Sequence, residues 1–323
     1  MDRALHDPEH GYYARRITGV GQRGDFTTAP MLSAAPARAI ATWARRAMHE
    51  TGCHNLIEIG PGEGTLAAAV LKSLPWHLRW RTRLHLVETS APLAERQRKL
   101  LGKRATWHRS MEDALAACGG DAVIYSNELV DAFPVRRFKK TTAGWQEMAV
   151  HFDQQRGAHE SLLPPALLPD SSAFLEPHAL GQCIEVHDSY RRYLSAWLPA
   201  WRSGRILTID YGATAEKLYH RQPRGSVRAY LLQHRLDGHA IYDNVGRQDI
   251  TADVNFSDLQ NWSRPWVGEQ KLTSFGEFLK GSLNVQKPLD LALIENQGAG
   301  GAFWVLDQKC REGAINSIAT VFE

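Results

Sequence analysis

The stretch Asn55-Leu56-Ile57-Glu58-Ile59-Gly60-Pro61-Gly62-Glu63-Gly64-Thr65-Leu66 constrains this chain more than any other. A short apolar run carries Glu58 near its end. Glycines follow at the alternate positions 60, 62 and 64, and Leu66-Ala67-Ala68-Ala69-Val70-Leu71 reads as helix. Strand, glycine turn and helix together open a nucleotide-binding βαβ unit. Glycine lets the chain turn sharply and lets a ligand approach backbone where a Cβ would block it. The free N–H groups at the helix start favour an anion. Gly60, Pro61, Gly62 and Gly64 are therefore candidate cofactor contacts.

A glycine loop alone is a weak signal, and two later segments strengthen it. Arg83-Leu84-His85-Leu86-Val87-Glu88 reads as a second strand ending in an acid, placed to accept bonds from both ribose hydroxyls. Asp121 to Ser126 reads as a third strand that runs into Asn127-Glu128-Leu129-Val130-Asp131. Polar groups at the carboxyl ends of parallel strands lie where open α/β sheets bind ligands. Between these strands, Thr106 to Asp113 falls beside the base of a bound nucleoside. There Ser110 is placed to bond the base and Met111 to pack on it, although a core methionine is the commoner case. The fold class expected is α/β, a Rossmann-like sheet.

NAD and S-adenosylmethionine both use this architecture. A dinucleotide fingerprint wants glycine where Thr65 stands, for tight helix–strand packing. The G-x-G-x-G spacing, with Glu58 placed to hold the amino group of a methionine moiety, suits S-adenosylmethionine better. Methyl transfer is an in-line displacement, in which the protein mainly positions the nucleophile and excludes water. Arginine is a poor nucleophile because it stays protonated, and carboxylates can fix its fork and polarise one nitrogen. Glu128 and Asp131 are three residues apart and share a face if the chain turns helically there; the alternative is that they cap the next helix. Asn127 lies beside them, and Asp210 ends a further buried strand, Gly204 to Gly212. These four are the candidate catalytic residues.

The remainder is organised around that core. Residues 1–50 comprise a glycine-punctuated, irregular leader from Asp7 to Pro30 and a helix from Ser33 to Glu50 with Ile40, Trp43, Ala44 and Ala47 on one face. Residues 51–212 form the cofactor core. Within it Ser90 is expected to cap a helix reaching Leu101, Val135 to Phe152 to form a strand pair about Ala143-Gly144, and residues 153–170 to be loop. A shift to Gly, His, Asp and Trp marks 213–288 as an insertion over the sheet, with helical character, and 289–323 supply the final strand. The pairs Trp76/Trp80, Trp197/Trp201 and Trp262/Trp266 sit at helical spacing, which favours packing over base stacking. A net charge of +3 with scattered Arg and Lys argues against nucleic acid. No run reaches transmembrane length. The four dispersed cysteines, and histidines without ligand spacing, suggest a reducing compartment and no metal. The acidic start suggests neither signal peptide nor transit peptide, hence a bacterial cytoplasmic protein, monomeric or dimeric.

Taken in order, several segments resemble the MidA-like family, which includes the mitochondrial complex I assembly factor with arginine methyltransferase activity. They are Asp7-Pro8-Glu9-His10-Gly11-Tyr12-Tyr13, Gly24-Asp25-Phe26-Thr27-Thr28-Ala29-Pro30, Glu58-Ile59-Gly60-Pro61-Gly62, Val87-Glu88-Thr89-Ser90, Asn127 to Val135, Ile209-Asp210-Tyr211-Gly212, Asp249 to Val254 and Phe275 to Leu279. The resemblance implies a class I methyltransferase fold, S-adenosylmethionine as cofactor, and arginine on a respiratory complex I subunit as acceptor. It also implies that Asp25, Phe26 and Thr27 belong to a lid over cofactor and substrate. The chain departs from the family pattern at Glu63, where Arg is common, at Met31, at Asn255, where Asp is usual, and in lacking a helix before Asp7. A small-molecule methyltransferase and a non-catalytic cofactor-binding assembly factor are the alternative functions.

Overall fold

The computed structural model describes residues 1–7, 9–15, 33–153, 157–232, 234–283, 290–291, 293–294 and 299–311. Two short helices, α1 (Asp2–His6) and α2 (Tyr12–Arg15), precede the long helix α3 (Ala35–Thr51). The βαβ unit then begins with β1 (Asn55–Ile59), α4 (Thr65–Ser73), α5 (Trp76–Arg81) and β2 (Arg83–Val87). It continues through α6 (Ala91–Leu101), β3 (Ala105–His108), α7 (Met111–Ala117) and β4 (Val123–Asn127). Next come β5 (Arg136–Thr141), β6 (Gly144–Asp153), β7 (Gly157–Leu162) and β8 (Cys183–Val186), which form a separate antiparallel sheet of order β7-β6-β5-β8.

Helix α8 (Asp188–Trp197) returns the chain to the main sheet at β9 (Arg205–Ala213), followed by α9 (Ala215–Arg221). A small sheet of β10 (Arg228–Leu231), β11 (His234–Leu236) and β12 (Asp249–Thr251) stands apart. Strand β13 (Val254–Asn255), α10 (Phe256–Ser263), β14 (Val267–Ser274), α11 (Phe275–Leu279), α12 (Ala299–Ala302) and β15 (Phe303–Cys310) follow among the described residues.

The main sheet runs β14-β15-β9-β4-β1-β2-β3, with β13 paired to β9. Strands β1, β2, β3, β4 and β9 are parallel, and β15 is antiparallel to both β9 and β14. Strand order reverses between β1 and β4, so their carboxyl ends open the crevice in which such sheets bind ligands. Burial on both faces explains the near-continuous apolar runs. Ile57 and Ile59 of β1 face a core with Met111, Tyr190 and Trp197, while Leu56 faces a second core with Ile40, Ala44, Ala47 and Val70. Helix α3 ends at Gly52, whose φ of 72° lets its N–H reach the Met48 carbonyl.

Several expectations need correction. Residues 153–170, expected as loop, contain β7, whose polar, mostly solvent-facing residues hide its strand character. The leader holds α2, and the short helix α1 precedes Asp7, where the sequence comparison with the family pattern suggests no helix. The stretch 213–288 contributes β13 and β14 to the main sheet, so only its first part, through β12, stands apart, and that part holds α9, the 3-10 turn Gly238–Tyr242 and three short strands. The final strand expected within 289–323 is β15, and it lies inside the sheet, between β9 and β14. Trp197 and Trp262 are buried, but Trp76 and Trp80 are 70% and 83% exposed, since Leu78 is the buried residue of the six-residue α5. Met31 and the segment Asp25-Phe26-Thr27 lie outside the described residues.

Candidate active site

The glycine loop folds as its composition dictates. Gly60, Gly62 and Gly64 have φ of 65°, 54° and 77°, a left-handed region costly for other residues. At Gly60 a Cβ would meet Leu129 Cδ1 at 2.7 Å, so the loop packs directly on the turn after β4. At Gly62 a Cβ would meet nothing within 4 Å, which leaves open space above the loop. Glu63 does not face that space. Its Oε1 accepts from Arg96 Nη1 of α6 at 2.7 Å, which accounts for an acid at this position.

Glu58 is buried and accepts the Tyr125 hydroxyl at 2.7 Å across β1 and β4. Burial pushes its carboxyl up to about 8, only partly offset by that bond. Glu88 follows β2. Its Oε1 accepts the Ser90 N–H at 2.7 Å and its Oε2 accepts Gln97 Nε2 at 3.1 Å. Burial raises its pKa as well. Gln97 was not singled out from the sequence, yet it is fully buried and ties three elements together. It donates to the Gly62 carbonyl at 2.7 Å and accepts the Trp107 indole N–H at 3.0 Å. The available signal was an amide on the buried face of α6, in register with Leu93, Ala94 and Leu101.

Ser90 occupies the cap position of α6, but its hydroxyl donates to the Tyr13 carbonyl at 3.2 Å and makes no cap bond. The N-terminal helices are thereby held against this end of the sheet, and Tyr13 donates to Asp249 Oδ1 at 3.1 Å. Ser110 caps α7 by accepting the Asp113 N–H at 3.1 Å. The Met111 side chain is wholly buried in the core, which corrects the expectation that it packs on a base. Asn255 caps α10 by accepting the Ser257 N–H, a task that Asn performs as well as Asp.

The turn after β4 is the strained part of the site. Glu128 has φ 52°, rare for a residue with a long side chain. Its backbone is outside the short 3-10 turn Val130–Ala132, so the expected helical register between Glu128 and Asp131 does not exist. Asp210 maintains the conformation. Its Oδ2 accepts the N–H groups of Leu129, Val130 and Asp131 at 3.1, 2.8 and 3.4 Å, and its Oδ1 accepts that of Tyr211 at 2.9 Å. Asp131 is buried, and its carboxyl is pushed up to about 7 by burial and then by Asp249, with Arg228 opposing. Burial and Asp131 likewise raise Asp210. Asn127 Nδ2 donates to Glu128 Oε1 at 3.1 Å, while its buried Oδ1 has no hydrogen-bond partner among the described residues.

The glycine cradle, the acid after β2, the unsatisfied Asn127 oxygen and the strained acid after β4 converge on the crevice at the strand-order reversal. Open space over Gly62 and the unpartnered Asn127 oxygen suit a nucleoside cofactor of the S-adenosylmethionine kind. Among the described residues, no group of three or more His, Cys, Asp or Glu could hold a metal, and no helix is long and apolar enough to cross a membrane. Fold and site define an S-adenosylmethionine-dependent methyltransferase.

The model of the S-adenosyl-L-methionine-dependent methyltransferase family Methyltransf_28 matches residues 39–274, and the chain belongs to that family. It is 28% identical to the protein arginine methyltransferase NDUFAF7 homolog, mitochondrial, of Drosophila melanogaster, over 92% of this chain and 74% of that one. It is 27% identical to protein arginine methyltransferase NDUFAF7, mitochondrial, of Mus musculus, over 87% and 69%. A crystal structure of a COG1565 superfamily member from Burkholderia thailandensis, bound to S-adenosyl-homocysteine, superimposes with a TM-score of 0.83 at 25% identity. That alignment covers 95% of this chain and 86% of that one. The resemblance found in the sequence motifs is thus borne out, as are the fold class and the cofactor.

Proposed function

We propose that this methyltransferase acts on an arginine side chain of a protein and that Glu128 holds the guanidinium. The observation carrying this reading is the left-handed Glu128, locked at the mouth of the crevice by the Asp210 clamp. Strain of this kind costs about 1–3 kcal/mol and persists where the surroundings over-determine it. The names of the relatives, protein arginine methyltransferases, support the same acceptor. The family resemblance points to a respiratory complex I subunit as the protein carrying that arginine.

The Gly60–Gly64 loop, Glu88 and Asn127 would hold the cofactor, which when bound supplies an electrophilic methyl group. Glu128 accepts N–H bonds from the guanidinium fork, and Asn127 Nδ2 keeps the Glu128 carboxylate in place. Charge on that carboxylate favours electron density on the nitrogen aimed at the methyl. Asp210 touches neither reactant and is a positioning residue. Asp131 is buried under the electrostatic influence of Asp249 and Arg228, and its carbonyl accepts the Ala252 N–H at 3.1 Å, which ties the turn to the residues after β12.

The test is incubation of the purified protein with radiolabelled S-adenosylmethionine and cell extract, followed by acid hydrolysis and amino-acid analysis. Label in methylarginine of one protein band is expected. Label confined to small molecules or to other residue types would overturn the reading.

A further inference from the structure

Beyond the carboxyl end of β9 lies a second cavity, of ≈ 530 Å³, between α9, the β10–β12 sheet and the start of β15. Tyr211, Tyr230 and Trp304 line it. Tyr211 connects it to the catalytic turn, because its backbone N–H donates to Asp210 Oδ1 at 2.9 Å, the side chain that also holds the Leu129–Asp131 N–H groups. The cavity is cationic. Lys217, Arg228 and Arg235 line it against a single acid, Asp253. Asp253 is already committed, since it pairs with the buried Arg228 and accepts Gln222 Nε2 at 2.6 Å. Arg228 is stacked 5.5 Å from the Tyr211 ring and 5.9 Å from the Tyr230 ring, and Arg235 pairs with Asp237. Lys217 differs from both. Its ammonium stands 5.2 Å over the Trp304 ring, exposed, with no acidic partner among the described residues.

From this geometry we infer that the cavity is a substrate subsite taking the carboxylate of an Asp or Glu that flanks the acceptor arginine. Lys217 supplies the charge and the aromatic walls hold the side-chain stem. The inference rests on the reading that the acceptor is a protein arginine. A cation packed on an aromatic face is pre-oriented without being neutralised, so it meets an incoming carboxylate with little loss of side-chain freedom. A peptide held at Glu128 by its arginine and at Lys217 by its acid is fixed at two points, which sets both register and direction.

The test uses arginine-centred peptides that differ only in carrying Asp, Asn or phosphoserine at one flanking position, taken in turn, with label transfer as readout. Wild type is expected to favour an Asp peptide over its Asn twin by about fivefold in kcat/KM, expressed in KM and reduced by salt, as for one partly exposed ion pair. Lys217→Arg should keep the preference and Lys217→Glu should reverse it; position 217 is exposed on the solvent side of α9, so folding is not at risk. Equal turnover of Asp and Asn peptides by wild type, or a preference that survives in Lys217→Glu, overturns the subsite. A preference for phosphoserine without one for Asp also overturns it, because the occupant would then be a phosphate. Failure of wild type to label arginine in any peptide or protein would instead remove the acceptor reading, and this inference with it.

Discussion

Asp210 Oδ2 accepts the backbone N–H of Val130 at 2.8 Å, joining β9 to the turn after β4 across eighty residues of sequence. The same oxygen serves Leu129 and Asp131, so one side chain sets the conformation that presents Glu128. Asp210→Ala would leave buried N–H groups without acceptors, at about 1–3 kcal/mol each. It should lower the thermal midpoint and remove most methyl transfer. Asp210→Asn retains an acceptor oxygen and should keep most of the stability. Calorimetric melting of both variants checks the order, and equal losses would refute the clamp.

Glu128 concentrates the opposition between stability and activity. Glycine at this position relieves the left-handed strain, so Glu128→Gly should stabilise the fold by about 1 kcal/mol while abolishing transfer. Glu128→Gln keeps the shape and loses the charge, and should reduce kcat by about 100-fold or more at unchanged cofactor affinity. Denaturant melts and steady-state rates measure the two effects separately. A Glu128→Gly variant less stable than wild type would contradict the strain assignment.

The legible parts of the fold were those governed by local rules. Alternating glycines, apolar runs ending in Glu58 and before Glu88, and the small-residue face of α3 each follow from neighbours in sequence. The roles of Asp210, Tyr125 and Gln97 depend on partners far away along the chain, so the residue types were visible and their bonds were not. Strand β7 was missed because its side chains point largely to solvent, and Trp76 and Trp80 misled because helical spacing does not say which face is buried. Glu63 looked anomalous in sequence and is an ordinary partner of Arg96 in the fold.

Glu58 makes a pH prediction. Its folded-state pKa is raised from 4.5 to about 8 by burial. A group raised in the folded state contributes stability that is fully present below its unfolded pKa and is lost as pH rises through the folded one. Wild type should therefore lose stability relative to Glu58→Gln between pH ~4.5 and ~8, by on the order of a few kcal/mol. Melting both proteins across that range tests it, and parallel curves would show that Glu58 ionises without cost.

Gln97 carries the last prediction. Its amide bridges the Gly62 carbonyl, Glu88 Oε2 and the Trp107 indole, so it sets the distance between the glycine loop and the acid after β2. Methionine has a similar volume but no amide. Gln97→Met would leave the half-buried Trp107 N–H and one Glu88 oxygen without these partners, at up to about 1–3 kcal/mol each. Part of that cost falls on the folded state. The rest appears as looser placement of two groups that must meet one ligand, which is felt in binding. S-adenosylmethionine affinity should fall by about tenfold or more, with kcat at saturating cofactor largely retained because the Glu128 turn is untouched. Titration calorimetry paired with saturated rates distinguishes this from general destabilisation, which would lower both. Unchanged affinity would mean that Gly62 and Glu88 hold their positions without the bridge.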